Sequence, residues 1–333
     1  MKKFLISAVA CVVAQTGGAF AGGQTLTVYT YDSFVSDWGP GPQIEAAFER
    51  SCACDLKFVA AGDGAAVLSR ILLEGERTEA DIVLGLDTNL TAAARKSGLF
   101  APHGQEPKGL TLPIEWNDEY FLPYDWGYFA FVYDNTRLPE APGSFKELVE
   151  EYPDLSIVIQ DPRSSTPGLG LVLWMKMVHG DRAASAWSAL DSKIVTVTKG
   201  WSEAYSMFLD GEADMVLSYT TSPAYHAIAE GDSSKKAAIF ADGNYLQVEV
   251  AGKLTSTENG DLADKFLAFM LADEFQSIIP TTNWMYPAAL DRNSLPQEFA
   301  ELPVPEIALL YEDFEAEALR KDAIAEWRDA LTR

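Results

Sequence analysis

Apolar residues fall into short continuous runs separated by stretches with helical spacing, an alternation that predicts a layered α/β architecture. The run LTVYTY (26–31) reads as a strand. Pro42, tolerated in a first helical turn, opens a helix that runs to Arg50. DLKFVA (55–60) reads as a second strand, followed by a helix over residues 65–74. DIVLGL (81–86) is almost continuously apolar, as expected of a strand buried on both faces. The same succession returns downstream. ILLEGE, ending at Glu76, precedes ADIVL (80–84), and MFLDGE, ending at Glu212, precedes ADMVL (213–217). Each reads as a helix, a glycine stop and a buried strand leading into a Thr-bearing loop, so two lobes on similar plans are expected.

Between the two copies lies YFLPYDWGYFAFVYD (120–134), aromatic throughout and without helical caps, which predicts a long extended segment crossing between lobes. YLQVEV (245–250) is the expected return crossing. SFKE (144–147) is a capping box that starts a helix. Residues 261–279 carry Leu262, Phe266, Leu267, Phe269, Met270 and Phe275, which predicts one amphipathic helix stopped by Pro280. From Val304 onward the chain reads as helical. With no flexible tract in between, strands should join the lobes and serve as the hinge. The expected division is residues 22–127 plus about 248–285 for lobe 1, and 128–247 plus about 286–333 for lobe 2, with a ligand cleft between them.

The first 21 residues read as an export leader: Lys2 and Lys3, an apolar stretch from Phe4 to Val13, and the small-x-small site Ala19-Phe20-Ala21. Cleavage is expected after Ala21, and the alternative of lipidation at Cys11 would leave a very short apolar run. The apolar stretch is too short to span a bilayer, so a periplasmic location is expected. The remaining 312 residues (333 minus 21) are enough for two cores. The net charge of −24 becomes −26 once the two leader lysines are removed. That balance argues against nucleic acid, which needs a basic footprint, and suits capture of a cation. Cys52 and Cys54, spaced C-x-C, form either a local disulfide or a free pair. His103, His179 and His226 are scattered, so neither a metal nor a cofactor is expected.

Candidate chemistry sits in three loops of one design, in which a strand ends, small hydroxyl residues follow and a helix begins. They are QDPRSSTPG (160–168), with Ser165 or Thr166 as cap; TKGWSE (198–203), with Trp201; and SYTTSP (218–223), with Tyr219, Thr220, Thr221 and the capping Ser222. Helix N-termini offer unpaired N–H donors and partial positive charge to an anion, although ordinary capping explains each loop taken alone. In parallel α/β lobes such ends gather at one sheet edge. Trp201, Tyr219, Tyr225 and Trp284 can face a flat cationic ring, while Tyr225 equally fits a lobe interface. Asp63, in AGDG at a strand-to-helix turn, either caps its helix or faces a cation, and Tyr31 at the end of the first strand is a similar candidate. No nucleophile elbow, Cys–His pair, zinc motif or Walker loop is present, so binding is favoured over turnover.

From about Thr25 to the C-terminus, VYTYDSFVSDWGPGP, ADIVLGLDTNL, QDPRSSTPGLGLVLWM, TVTKGWSEAYSMFL, VLSYTTSPAYH, YLQVEV and IPTTNWMYP resemble the periplasmic thiamine-binding proteins of bacterial ABC importers. The resemblance implies the two-lobed type II periplasmic-binding-protein fold. It also implies thiamine, thiamine monophosphate or thiamine diphosphate as cargo, delivered to a membrane permease and its ATPase. It implies ligand contacts at Asp63, Gly64, Ser165, Thr166, Trp201, Tyr219, Thr220, Thr221, Ser222, Tyr225 and Trp284, with Tyr31 added from its position. A thiazolium cation suits Asp63 and the aromatic faces, and phosphate suits the helix start at Ser165-Thr166. Two other readings remain: a different solute such as Fe3+, and a thiamine-degrading enzyme on the same fold, which would need a nucleophilic cysteine at the cleft.

Overall fold

The computed structural model describes residues 23–331; the leader and its cleavage site lie outside the described residues. Strand β1 (Thr25–Thr30) lies between β2 (Asp55–Ala60) and β3 (Ile82–Asp87), all parallel. Helix α1 (Gly41–Cys52) connects the first pair, and α2 (Gly64–Glu74) leads from β2 towards β3. The chain then runs through β4 (Phe121–Asp134) into a second parallel set. There β5 (Ile157–Gln160) lies between β6 (Ile194–Thr198) and β7 (Met215–Tyr219). Helix α3 (Thr166–His179) follows β5, and α4 (Trp201–Leu209) follows β6. Strand β8 (Asn244–Leu254) returns, giving the sheet order β2-β1-β3-β8-β4-β7-β5-β6.

Both halves therefore place their first strand in the middle, the second outside and the third beside the crossing strands. The sequence echo is an echo of topology. Each copy ends its helix at a glycine with positive φ, Gly75 at 58° and Gly211 at 81°, where a side chain would be strained.

The two crossing strands weld the halves together. Residues 121–128 of β4 pair antiparallel with β8, while 129–133 pair with β7. Residues 121–132 are all buried, which explains why this segment is aromatic and apolar on both faces. Trp174 of α3 packs edge-on to Phe145 at 4.6 Å in the core of the second half.

Four local expectations change. The helix expected over residues 261–279 is broken: α5 (Gly260–Met270) ends, Ala272 is extended, and short helices follow at Asp273–Gln276 and Ile279–Thr282. Periodicity could not show the cause, which is tertiary. The break turns Gln276 inward, where its amide donates to Met270 O at 2.7 Å and Tyr124 O at 3.1 Å and accepts from Ala289 N at 2.8 Å. Pro280 lies in the first turn of the last helix rather than stopping one. The chain after Val304 first adds a short strand, Ala308–Leu309, to β8, and only then forms α6 (Asp313–Leu331). In the capping box, Ser144 accepts from Glu147 N as expected, but Glu147 reaches Gly143 N instead of the cap's own N–H. Cys52 and Cys54 are bonded to each other across Ala53, which takes a left-handed φ of 52°.

Candidate functional site

The C-terminal ends of the parallel strands face one cavity of about 630 Å3. The first half contributes Tyr31, Ser33, Ser36, Trp38, Asp63 and Gly64; the second contributes Thr166, Trp201, Tyr205, Tyr219, Ser222 and Tyr225. Glu249 enters from the crossing strand β8, and Asn283 and Trp284 from the segment after the last short helix. Asp63 and Glu249 are its acids, and among the described residues no Lys, Arg or His lines it. Such a chamber attracts cations and repels simple anions.

At the mouth, the starts of α2 and α4 meet head to head. Asp63 is the N-cap residue of α2, yet its carboxylate does not cap that helix. It accepts from Ser165 Oγ at 2.7 Å and from Trp201 N at 3.0 Å, both in the other half. Ala66 N also donates to Ser164 O at 3.0 Å. Burial pushes the Asp63 carboxyl up to about 6, against the two hydrogen bonds that pull it down. Close approach depends on Gly64, where a Cβ would lie 2.2 Å from Gly85 O and 2.6 Å from Thr166 Cγ2.

The aromatic walls are held from behind. The Trp201 indole stacks on Tyr205 with centroids 4.9 Å apart, and its N–H donates to Ser218 Oγ at 2.8 Å. Ser218 shares a hydrogen bond with Ser222 Oγ at 2.8 Å. Tyr205 OH in turn meets the buried His226 Nε2 at 2.9 Å, and His226 Nδ1 meets Glu230 at 2.7 Å. Opposite, Trp284 lies edge-on to Tyr225 at 5.2 Å. Trp284 has a φ of 58°, a conformation that costs a bulky residue about 1–3 kcal/mol and clusters at functional positions.

On the floor, Glu249 is almost wholly buried. Tyr31 OH donates to its Oε2 at 3.0 Å, Tyr124 OH donates to the same oxygen, and Gln247 Nε2 donates to Oε1 at 2.7 Å. Behind it lies the fully buried Asp125, which accepts from Asn283 Nδ2 at 2.6 Å. Burial raises both carboxyls, and the neighbouring Glu249 raises Asp125 further. Tyr31 can reach this floor because Gly85 (φ 97°) has no Cβ; one would lie 2.2 Å from Tyr31 Cδ1.

Of the residues expected from the sequence, Tyr31, Asp63, Gly64, Thr166, Trp201, Tyr219, Ser222, Tyr225 and Trp284 line the cavity. Ser165, Thr220 and Thr221 do not; all three are buried behind its wall. Ser165 is spent on Asp63, Thr220 N donates to Tyr128 O at 2.9 Å, and Thr221 Oγ1 faces Met285 S at 3.6 Å. Ser165 and Ser222 occupy cap positions, but neither hydroxyl caps its helix. Sequence reasoning missed Glu249, Asn283, Trp38 and Tyr205. Trp38 had a signal, since DWGPGP is the same setting that pointed to Trp201; it is 53% exposed with its ring 6.4 Å from Trp201. Glu249 had one too, an acid within the largely apolar stretch YLQVEV.

Residues 78–305 match the family described as bacterial extracellular solute-binding protein. The chain is 53% identical to the thiamine-binding periplasmic protein of Brucella suis, over 93% of this chain and 92% of that protein. It is 53% identical to the corresponding protein of Escherichia coli, over 92% of this chain and 94% of the other. A solved periplasmic thiamin binding protein superposes with a TM-score of 0.91 at 52% identity, covering 93% of this chain and 97% of that one.

Proposed function

The chain belongs to the bacterial extracellular solute-binding proteins, and on that premise we propose that it binds thiamine in this cavity and delivers it for import. One observation carries the reading: aromatic faces on both halves enclose a chamber whose charged lining groups are carboxylates. A flat heteroaromatic cation fits both features, and each good cation–π face contributes roughly 0.5–2 kcal/mol. The periplasmic relatives support the same location for this chain, and cleavage of the leader after Ala21 belongs to this proposal. So does the division into lobes at residues 22–127 plus about 248–285 and 128–247 plus about 286–333, closing over the ligand on the crossing strands.

The phosphate esters are included in the proposal. The donors that suit a phosphate, Ser165 Oγ and Trp201 N–H, are those Asp63 now accepts from, so an ester would compete with that carboxylate for them. The delivery partners proposed are a membrane permease and its ATPase, with no cofactor in the protein itself. The thiamine-cleaving alternative has less support, because Cys52 and Cys54 are tied to each other and are not among the cavity-lining residues. Ferric capture has less as well, because the relatives at 52% and 53% identity are thiamine-binding proteins. Mass spectrometry of small molecules released from the purified, denatured protein tests the reading. Thiamine or its esters are expected at near-stoichiometric yield. Absence of carried vitamin, together with no heat of binding on adding micromolar thiamine, would refute it.

A further inference from the structure

The sheet register puts three acids in one row through the middle of the protein. Asp87 on β3 stands opposite Glu249 on β8, and Glu249 stands opposite Asp125 on β4. Like charges directly opposite one another destabilise a sheet, and among the described residues no cationic side chain lines the adjoining cavity. A fold retains such a row only where something else requires it. Asp87 is accounted for locally: Asn89 donates to it through its backbone N at 3.1 Å and its side-chain amide at 3.0 Å. Asp125 is not, because its Oδ1 is buried without a hydrogen-bond partner. Of the three acids, only Glu249 reaches the cavity surface.

We propose that Glu249 is the residue that selects a positively charged ring in this cavity. The inference rests on the reading of the cavity as a thiamine site. Two tyrosine hydroxyls and the Gln247 amide converge on Glu249, orient it and favour its ionised form against the burial that raises it. Burial and the neighbouring Glu249 raise Asp125 the more strongly of the two, which favours the proton on Asp125 and the charge on Glu249. Asp63, the other acid of the lining, is engaged by Ser165 and Trp201 and serves the contact between halves. Charge selection therefore falls to the floor and not to the mouth.

Titration calorimetry of the mature chain tests this with two ligands: thiamine, and an isostere in which neutral thiophene replaces the thiazolium. Wild type is expected to prefer thiamine by at least about tenfold, the scale of one charge pair in a partly screened interior. Glu249→Gln is expected to weaken thiamine by about tenfold or more and the neutral isostere by less than about threefold, so the preference collapses. Glu249→Asp, which keeps the charge, is expected to retain it. Glu249→Gln should also melt no lower than wild type, since it relieves the row of acids. Equal affinity of Glu249→Gln and wild type for thiamine overturns the proposal. So does equal loss of both ligands with a lowered melting temperature, which would make Glu249 structural. If wild type itself ignores thiamine, the thiamine reading fails and this proposal with it; a wild type that binds while Glu249→Gln binds as well sinks this proposal alone.

Discussion

The two halves share a strand order but divide the chemistry at the mouth in opposite ways. After β2 the first half places an acid, Asp63, as helix cap and a glycine, Gly64, as the first helical residue. After β6 the second half places a glycine, Gly200, as cap and Trp201 as the first helical residue. The two starts interlock. Asp63 fills space that a side chain at Gly200 would need, since a Cβ there would lie 3.1 Å from Asp63 Oδ1. The Trp201 N–H supplies the hydrogen bond. A repeated architecture has thus become complementary instead of symmetric, and the helix starts that might have made two anion sites make one contact across the cleft.

The largest break in that complementarity is Asp63→Ala, which leaves Ser165 Oγ and Trp201 N without an acceptor at roughly 1–3 kcal/mol each. Thiamine affinity is expected to fall about 10- to 100-fold, mainly through faster release, as stopped-flow tryptophan fluorescence would show. An unchanged release rate would mean the contact does not hold the cleft shut. Trp201→Ala removes the face stacked on Tyr205 and should cost about tenfold in affinity, read by calorimetry, if the indole meets the ligand. Gly200→Ala is subtler. Gly200 has an extended φ of −148°, so the backbone accepts alanine and only the contact with Asp63 is crowded. A loss of about threefold is expected, and Asp63→Ala should abolish the difference between glycine and alanine in a double-mutant cycle.

The smallest effect is on stability against pH. Asp63 is raised from 3.8 to about 6 in the folded protein, so the folded state binds its proton more tightly than the unfolded one. Stability from this group is present below about pH 4 and is lost as pH rises through about 6. Asp87, raised to about 7 by burial, acts in the same direction over a window reaching about 7. Melting temperature should decline from pH 4 to 7 in the unliganded protein, and Asp63→Asn should flatten the lower part of that decline. A melting temperature that rises across this window in wild type would contradict the burial of these acids.

Much of the molecule was legible in local pattern. Buried strands such as IVLGL, glycine stops at 75 and 211, the aromatic crossing 121–134 and the three hydroxyl loops each carry their cause within a few residues. That is why the strands follow from a linear reading, while the twelve expected ligand contacts came largely from the family resemblance, and nine of those positions line the cavity. The missing parts depend on residues far apart in the chain. Asp63 could be read as a cap or a cation partner, but its partners Ser165 and Trp201 are 102 and 138 positions away. Residues 261–279 have one helical period, yet the helix breaks so that Gln276 can serve Tyr124 O, 152 positions upstream. Glu249 and Asp125 face each other only because β4 and β8 pair in one register, and a shift of one residue would turn one of them to the opposite face. Propensity and burial pattern act over a turn or a strand, so composition encodes them directly. Which carboxylate bridges the halves and which faces the ligand is set by pairing across the whole sheet.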